Sequence, residues 1–203
     1  MVMVLTGLWY ASVCAVAALL VGWWTRPLYA GPLVLAGLFC LYFFRDPERE
    51  IPSGPVAVAP ADGRIVAVVR QADGSTRIST FLSLFDVHVN RSPIAGTILK
   101  REYRPGKFHI ASREIASAQN EQNVLVIEGE GSQVVVKQIA GILARRIVCY
   151  KRPGEQVDRG ERIGLIQFGS RVDLILGPEW EITVAAGQRV RAGADIVARK
   201  RSS

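Results

Sequence analysis

Two long uncharged runs at the N-terminus constrain the fold of this chain more than any other feature. Residues 1 to 25 carry no charged side chain, and a second uncharged run follows the Arg26-Pro27 pair, from Leu28 to Phe44. A membrane-spanning helix needs about 20 apolar residues, so the first run is long enough and the second is at the short end. Aromatic residues typical of a membrane interface lie near the break and near the second end: Trp23, Trp24, Tyr29 and Tyr42. Residues 1–45 are therefore predicted to form a helical membrane hairpin, or one span and one interfacial segment.

The flanking charges predict how this segment is oriented. A cleaved signal peptide is the alternative, but no basic segment precedes the first run and no clean small-residue cleavage site follows it. Arg45 and Arg49 follow the second run, so the positive-inside rule predicts that residues 46–203 lie on the cytoplasmic face of the inner membrane. Arg26, in the short loop, argues in the opposite direction.

The charge balance and the cysteines exclude several classes of protein. The net charge of +7 suits an anionic membrane surface, and no nucleic-acid-binding motif accompanies it. Cys14, Cys40 and Cys149 do not make a disulfide framework, and we expect reduced thiols. His88 and His109 cannot form a credible zinc site with these cysteines, so no metal is predicted.

From Val56 onwards the pattern is that of a β protein. Alternating β-branched residues bounded by turn residues predict strands at 64–70, 76–84, 94–102, 123–128, 133–138, 143–150, 161–169, 171–176, 180–184 and 194–199. A hairpin tip is predicted at Glu128-Gly-Glu-Gly131, and one short helix at about 111–121.

A glycine repeat near the C-terminus indicates the architecture. Gly154-x-x-Val-x-x-Gly160-x-x-Ile163 matches Gly187-x-x-Val-x-x-Gly193-x-x-Ile196. This spacing resembles the hammerhead turns of biotinyl and lipoyl domains, which are flattened β-sandwiches. The fold is therefore predicted to be mainly β, a flattened sandwich or barrel-like domain with lipoyl-like repeats. A carrier function is rejected, because the Glu128–Gly131 tip has no lysine to modify.

One hydroxyl stands out in the segment Gly164–Leu176, which we interpret as a strand. Its even positions are apolar except for Ser170, and side chains two residues apart share a face of a strand. The preceding Gly169 tolerates backbone conformations that other residues do not. Two further Gly-Ser pairs, at 74–75 and 131–132, lie in polar turns. The pattern alone is compatible with a bulge beside a core serine or with a functional serine.

Five motifs in order resemble the short form of the phosphatidylserine decarboxylase proenzymes. They are Phe43-Phe-Arg-Asp-Pro47, Pro60-Ala-Asp-Gly63, Phe81-Leu-Ser-Leu-Phe-Asp-Val-His-Val-Asn-Arg-Ser-Pro93, Gly141-Ile-Leu-Ala-Arg-Arg-Ile-Val148 and Phe168-Gly-Ser170. The resemblance covers about residues 40 to 200 and extends to an apolar N-terminus of the same kind.

The resemblance implies a chemistry for Ser170. Members of this family cut themselves at a Gly-Ser bond, which gives a β chain of 1–169 and an α chain of 170–203 that begins with a pyruvoyl group. This group serves as the cofactor and forms a Schiff base with phosphatidylserine, which is converted to phosphatidylethanolamine and CO2. The resemblance further implies that His88 transfers a proton and that Asp62 assists self-cleavage.

The sequence departs from the longer family members at one position. They carry His-x-x-His where this chain has His88-x-x-Arg91, so the base that activates Ser170 is left open: His88 for both steps, or Asp62 through water. The substrate phosphate or carboxylate needs cationic partners, and the candidates by charge are Arg45, Arg91, Arg145 and Arg146. Solvated strand faces are the alternative for each of them.

Two rival functions remain at the level of sequence. The first is a non-enzymatic, membrane-anchored adaptor with a lipoyl-like β domain, which predicts no chain cleavage. The second is a related enzyme acting on another amino lipid or on a soluble amino acid. The expected partners of the favoured enzyme are phosphatidylserine in an anionic membrane and the pairing of its own α and β chains. Whether that heterodimer assembles further is left open.

Overall fold

The computed structural model describes residues 2–142, 146–167 and 169–201. The chain divides into two compact units, Met1–Glu48 and Arg49–Ser203.

The first unit is a pair of apolar helices. Helix α1 spans Val2–Trp24 and helix α2 spans Gly31–Phe43, with a 3-10 turn at Pro27–Ala30 between them. Arg26 is extended, as the residue before a proline prefers to be, and this ends the first helix. A Cβ at Gly7 would touch Phe44, and one at Gly37 would touch Cys14, so the two helices run antiparallel. The predicted helical hairpin is confirmed. Among the described residues, one helix, Leu5–Trp24, is long and apolar enough to cross a membrane.

The second unit consists mainly of strands, which confirms the predicted fold class. Its one α-helix among the described residues is α3, Glu114–Gln119. The strands are β1 Val56–Val58, β2 Gly63–Arg70, β3 Thr76–Leu82, β4 Val89–Arg91, β5 Gly96–Arg104, β6 Gln122–Gly129, β7 Ser132–Ile139, β8 Ile147–Cys149, β9 Gln156–Val157, β10 Arg162–Ile166, β11 Ser170–Leu176, β12 Trp180–Ile182, β13 Arg189–Val190 and β14 Ile196–Lys200.

Three sheets surround one apolar core. The largest has eight strands in the order β13-β2-β3-β11-β7-β6-β5-β9, and two three-stranded sheets have the orders β1-β14-β12 and β4-β10-β8. Buried side chains such as Ile65, Leu125 and Leu174 fill the space between them. A chain of buried amides joins two sheets: Asn123 donates to Gln138, and Gln138 donates to Asn90 of β4, both at 2.8 Å.

The glycine repeat organises this unit, as the sequence predicted. In the first copy, the amides of Gly154 and Gly160 donate to backbone carbonyls at the start of β5 and just after β4. In the second copy, Gly187 and Gly193 make the equivalent bonds to β2 and to the segment after β1. Donors and acceptors keep a constant spacing of 33 residues between the copies (154 and 187, 160 and 193, 98 and 65, 92 and 59). All four repeat glycines have positive φ angles, between +75° and +95°, which favour glycine.

The interpretation of Gly164–Leu176 as a single strand is wrong, whereas the separate strands predicted at 161–169 and 171–176 agree with the structure. The segment forms two strands in different sheets: β10 pairs with β4 and β8, whereas β11 pairs with β3 and β7. The chain leaves the first sheet after Ile166 and enters the second at Ser170, with Gly169 at φ +62° in between. Apolar alternation continues across the break, and for this reason the segment could also be interpreted as a single strand. Phe168 lies outside the described residues.

Candidate active site

Ser170 begins β11 at the junction between the two sheets. Its neighbours on the even face, Val172, Leu174 and Leu176, are fully buried, and so is Ser170 itself. The Ser170 hydroxyl oxygen has no hydrogen-bond partner among the described residues. A buried polar group of this kind is uncommon in folded proteins and indicates strain, an unseen partner or a chemical role.

Ser170 differs from the serines of the other two Gly-Ser pairs in its hydrogen bonding. The glycine has a positive φ in each pair: +83° at Gly74, +68° at Gly131 and +62° at Gly169. The other two serines are satisfied, because the Ser75 hydroxyl donates to Asp73 and the Ser132 hydroxyl accepts from the Trp180 indole. Burial without a partner therefore distinguishes Ser170, whereas the glycine conformation does not.

His88 lies beside the amide of Gly169, the residue before Ser170. Its Nδ1 lies 2.9 Å from the carbonyl oxygen of Asp86, and its Nε2 lies 3.4 Å from the Gly169 amide nitrogen. A carbonyl can only accept, so Nδ1 carries the proton and Nε2 accepts a hydrogen bond from the Gly169 N–H. The side chain is fully buried, which keeps this tautomer and orientation fixed. The Gly169 amide nitrogen is two bonds from the carbonyl carbon of the Gly169-Ser170 peptide.

Asp62 is held by two donors of its own. Its Oδ2 accepts from Arg49 at 2.8 Å and its Oδ1 from the Ala192 amide at 2.7 Å. Burial raises the pKa of the Asp62 carboxyl above its usual range, and these two donors oppose that rise. Nearby Asp86 adds to it by charge repulsion. The sequence singled out Asp62 but missed its partner Arg49, which lies 13 residues earlier in a proline-rich segment without regular structure.

Gly141 packs against the carbonyl of Gly169. A Cβ built on Gly141 would lie 2.1 Å from that oxygen and 3.2 Å from the Cβ of Ala111. The main chain at Gly141 therefore has no room for a side chain, and it fixes the direction of the Gly169 carbonyl. The motif that begins at Gly141 was noted in the sequence for its resemblance alone, and no pattern in it indicated this contact.

The four arginines proposed for the substrate lie in different surroundings. Arg146 is exposed, and its carbonyl accepts from the Gln167 amide, two residues before Gly169. Arg91 is buried and donates to the Gly160 carbonyl at 3.0 Å. Arg45 belongs to the first unit, where its guanidinium lies 3.8 Å from the ring centre of Tyr42. Arg145 lies outside the described residues.

These groups fit a serine that is converted into a carbonyl-bearing chain end. The unpartnered hydroxyl of Ser170 is the atom that would react, and a glycine with positive φ precedes it. The Nε2 atom of His88 accepts a hydrogen bond from the amide of that glycine. The site is closed to bulk water at Ser170 and His88, which a rearrangement in competition with hydrolysis requires.

Comparisons with known proteins identify the family. The family model described as phosphatidylserine decarboxylase matches residues 36–198. A protein from Solibacter usitatus named phosphatidylserine decarboxylase proenzyme is 60% identical over 200 residues, covering 98% of both chains. Proteins of the same name from Nitratidesulfovibrio vulgaris and Nitrosomonas eutropha are 45% and 47% identical, over 96% and 92% of this chain and 93% and 89% of their own.

Matches of this length and identity show that the protein is an enzyme of the decarboxylase class. The chain belongs to the phosphatidylserine decarboxylase family.

Proposed function

We propose that this chain is a self-processing, pyruvoyl-dependent decarboxylase that converts phosphatidylserine to phosphatidylethanolamine and CO2 through a Schiff base. The names of its relatives support the substrate and the existence of a proenzyme. One structural observation carries the proposal for this chain: the buried, unpartnered hydroxyl of Ser170 follows a glycine with positive φ, and His88 accepts a hydrogen bond from the amide of that glycine.

Self-cleavage starts at the Ser170 hydroxyl. Its oxygen attacks the Gly169 carbonyl carbon through a five-membered ring, the C–N bond breaks, and an ester replaces the peptide while the amine keeps the proton. A base then removes the Cα proton of residue 170, and the Gly169 carboxylate leaves. The resulting dehydroalanine tautomerises and consumes one water, which releases ammonia and leaves the pyruvoyl end. The products are a β chain of 1–169 and an α chain of 170–203, which stay together as a heterodimer.

His88 is the residue that moves protons in this proposal. Its Nε2 accepts from the Gly169 N–H, two bonds from the scissile carbonyl carbon, while Nδ1–H donates to the Asp86 carbonyl. A pyruvoyl group at position 170 would supply an electron sink, as the Schiff base that accepts the electron pair left when CO2 departs. His88, protonated after the first step, can return a proton to the substrate carbon.

Asp62 acts in this proposal by position and charge, without removing a proton itself. Both of its oxygens already accept hydrogen bonds, from Arg49 and from the Ala192 amide. Arg91, which stands in place of a second histidine, donates to the Gly160 carbonyl and cannot act as a base. These contacts favour His88 for both the cleavage and the decarboxylation step.

The rim around this site suits a lipid surface. Asn120 bonds the carbonyls of His109 and Ala140 and so joins the loop before α3 to the loop after β7. These two loops and α3 carry the exposed apolar residues Phe108, Ile110, Ile115 and Ile142. They also carry the exposed cations Lys107, Arg113 and Arg146. Apolar side chains among cations fit an anionic membrane, and Arg146, with its main chain bonded to Gln167, is the best candidate for the substrate phosphate.

The apolar helices supply the anchor in this scheme. We assign residues 1–45 to the membrane-associated segment and residues 46–203 to the decarboxylase domain. The length and composition of Leu5–Trp24 support this assignment. Arg45 and Arg49, next to the second apolar helix, favour the cytoplasmic face of the inner membrane.

Mass spectrometry of three proteins tests the proposal. We expect the wild-type chain to separate into two fragments and Ser170→Ala to remain at 22.2 kDa without activity. Ser132→Ala is the matched control, because Ser132 also follows a glycine with positive φ, and this variant should be cut normally. An active wild-type protein that stays intact would refute self-processing. An intact wild-type protein without activity would favour an adaptor.

A further inference from the structure

The face of β11 opposite Ser170 carries a buried network of charges. Arg171 is fully buried, although charged residues that alternate with apolar ones in a strand are typical of a solvated face. Its guanidinium donates to Asp173 at 2.6 Å and to the Ser79 hydroxyl at 2.7 Å. It also donates to the Arg113 carbonyl and to Glu114, both at 3.2 Å.

The network joins β11 to β3 and to helix α3. The Asp173 carboxylate accepts from the Ser117 hydroxyl, which also accepts from Arg77 of β3 at 2.8 Å. Arg77 pairs with Glu114 at the start of α3. Lys137 lies opposite Asp173 on β7, and burial lowers the pKa of its ammonium group. The charges of Arg171 and Asp173 are therefore compensated on every side, as buried charges must be.

Self-cleavage changes what holds residue 170. The peptide bond to Gly169 is lost, and the amide nitrogen of residue 170 leaves as ammonia. Residue 170 then has no backbone donor, and one peptide bond to Arg171 is its remaining covalent connection. Arg171 is the first residue of the new chain that keeps its backbone pairing, with Phe81 and Ile139, together with side-chain contacts to β3, to α3 and to the residue before α3.

From these contacts, and resting on the proposed self-cleavage, we infer that Arg171 is a positioning residue that anchors the newly formed α-chain end. Its guanidinium holds that end in register between β3 and β7, so the reactive carbonyl keeps its place beside His88. In the uncut chain the Gly169-Ser170 peptide shares this task, so the anchor matters most after cleavage. The same contacts tie the chain end to α3, and Ala111, three residues before that helix, faces Gly141 and hence the Gly169 carbonyl.

A comparison of cut and uncut protein tests this inference. Arg171→Lys keeps the positive charge beside Asp173 but loses the planar fork that reaches Ser79 and the Arg113 carbonyl. We expect this substitution to lower the urea unfolding midpoint of the processed protein at least twice as much as that of the uncut Ser170→Ala chain. In the processed enzyme, kcat should fall by roughly 10- to 100-fold with a smaller change in KM. The reactive carbonyl would be displaced, whereas the contacts that bind the substrate would be unchanged.

Arg159→Lys is the matched control. Arg159 is also a mostly buried guanidinium, but it bonds the Pro52 carbonyl and Glu130. Its substitution should shift both midpoints equally. If the Arg171→Lys chain is not cut, the same comparison of urea midpoints is made with Ser79→Ala. This substitution removes one hydrogen bond from the Arg171 guanidinium. Equal shifts in the cut and uncut forms would make Arg171 a general stabiliser and overturn the inference. A wild-type chain that is never cut would instead refute the self-processing on which it rests.

Discussion

Replacement of Gly141 by alanine should separate the geometry of the cleavage site from the stability of the fold. The new Cβ would lie 2.1 Å from the Gly169 carbonyl oxygen. An ordinary carbon–oxygen contact is about 3.3 Å, so one of the two main-chain segments must move by about 1 Å. Overpacking of this kind costs about 1–3 kcal/mol of unfolding free energy. A displacement of about 1 Å at reacting atoms can cost about 100-fold in rate.

Gly96 provides a control with the same steric problem at a different place. A Cβ on Gly96 would lie 2.2 Å from the Glu128 carbonyl oxygen, at the pairing of β5 with β6. Both substitutions should therefore lower the urea midpoint of the Ser170→Ala chain by similar amounts. Only Gly141→Ala should also slow self-cleavage, by about 100-fold, because only there is the displaced carbonyl the one that Ser170 attacks.

The assay follows conversion of the 22.2 kDa chain into its two fragments after a pulse of synthesis. Cleavage of Gly141→Ala at the wild-type rate would refute the proposed role of Gly141 in directing the carbonyl. Equal slowing in Gly96→Ala would attribute the effect to lost stability instead.

Three further substitutions test the remaining roles. His88→Gln should lower the rates of cleavage and decarboxylation by about 100-fold or more, as loss of a general acid–base does, whereas His109→Gln should leave both rates near wild type. Asp62→Asn should make the free energy of unfolding depend less on pH in the acid range. Because burial raises the pKa of Asp62 in the folded protein, the contribution of its protonated form to stability is full below the ordinary pKa of 3.8 and is lost as the pH rises through the raised pKa. Urea midpoints of the Ser170→Ala chain, measured with and without Asp62→Asn, report this contribution. The same pH dependence in both proteins would contradict it. Arg146→Gln should raise KM for phosphatidylserine with little change in kcat, and Arg64→Gln, an exposed arginine bonded to the Gly187 carbonyl, is the control. Equal KM values in these two variants would show that Arg146 does not bind the substrate phosphate.

The sequence predicted those parts of the fold that local pattern determines. The hairpin tip lies where expected, between Gly129 and Ser132, with Glu130 and Gly131 at positive φ. The repeat glycines and most of the longer strands also agree with the structure. Four strands were missed, β1, β4, β9 and β13, because each has only two or three residues and shows no periodicity.

The surroundings of the site depend on packing between distant segments, which the sequence does not display. Arg171 and Asp173 alternate with apolar residues, a pattern typical of a strand with one solvated face. They are buried because α3, more than 50 residues earlier, covers them. In the same way, the close approach of Gly141 to the Gly169 carbonyl follows from the adjacency of β7 and β11.

The chemical identity of the new chain end is the most direct test of the central proposal, that Ser170 becomes a reactive carbonyl. The mass of the α chain should be lower, by one ammonia, than that expected for residues 170–203 released by simple hydrolysis. Reduction with borohydride in the presence of phosphatidylserine should attach the lipid to this chain and abolish activity. An active enzyme whose α chain begins with an ordinary serine would contradict the proposal.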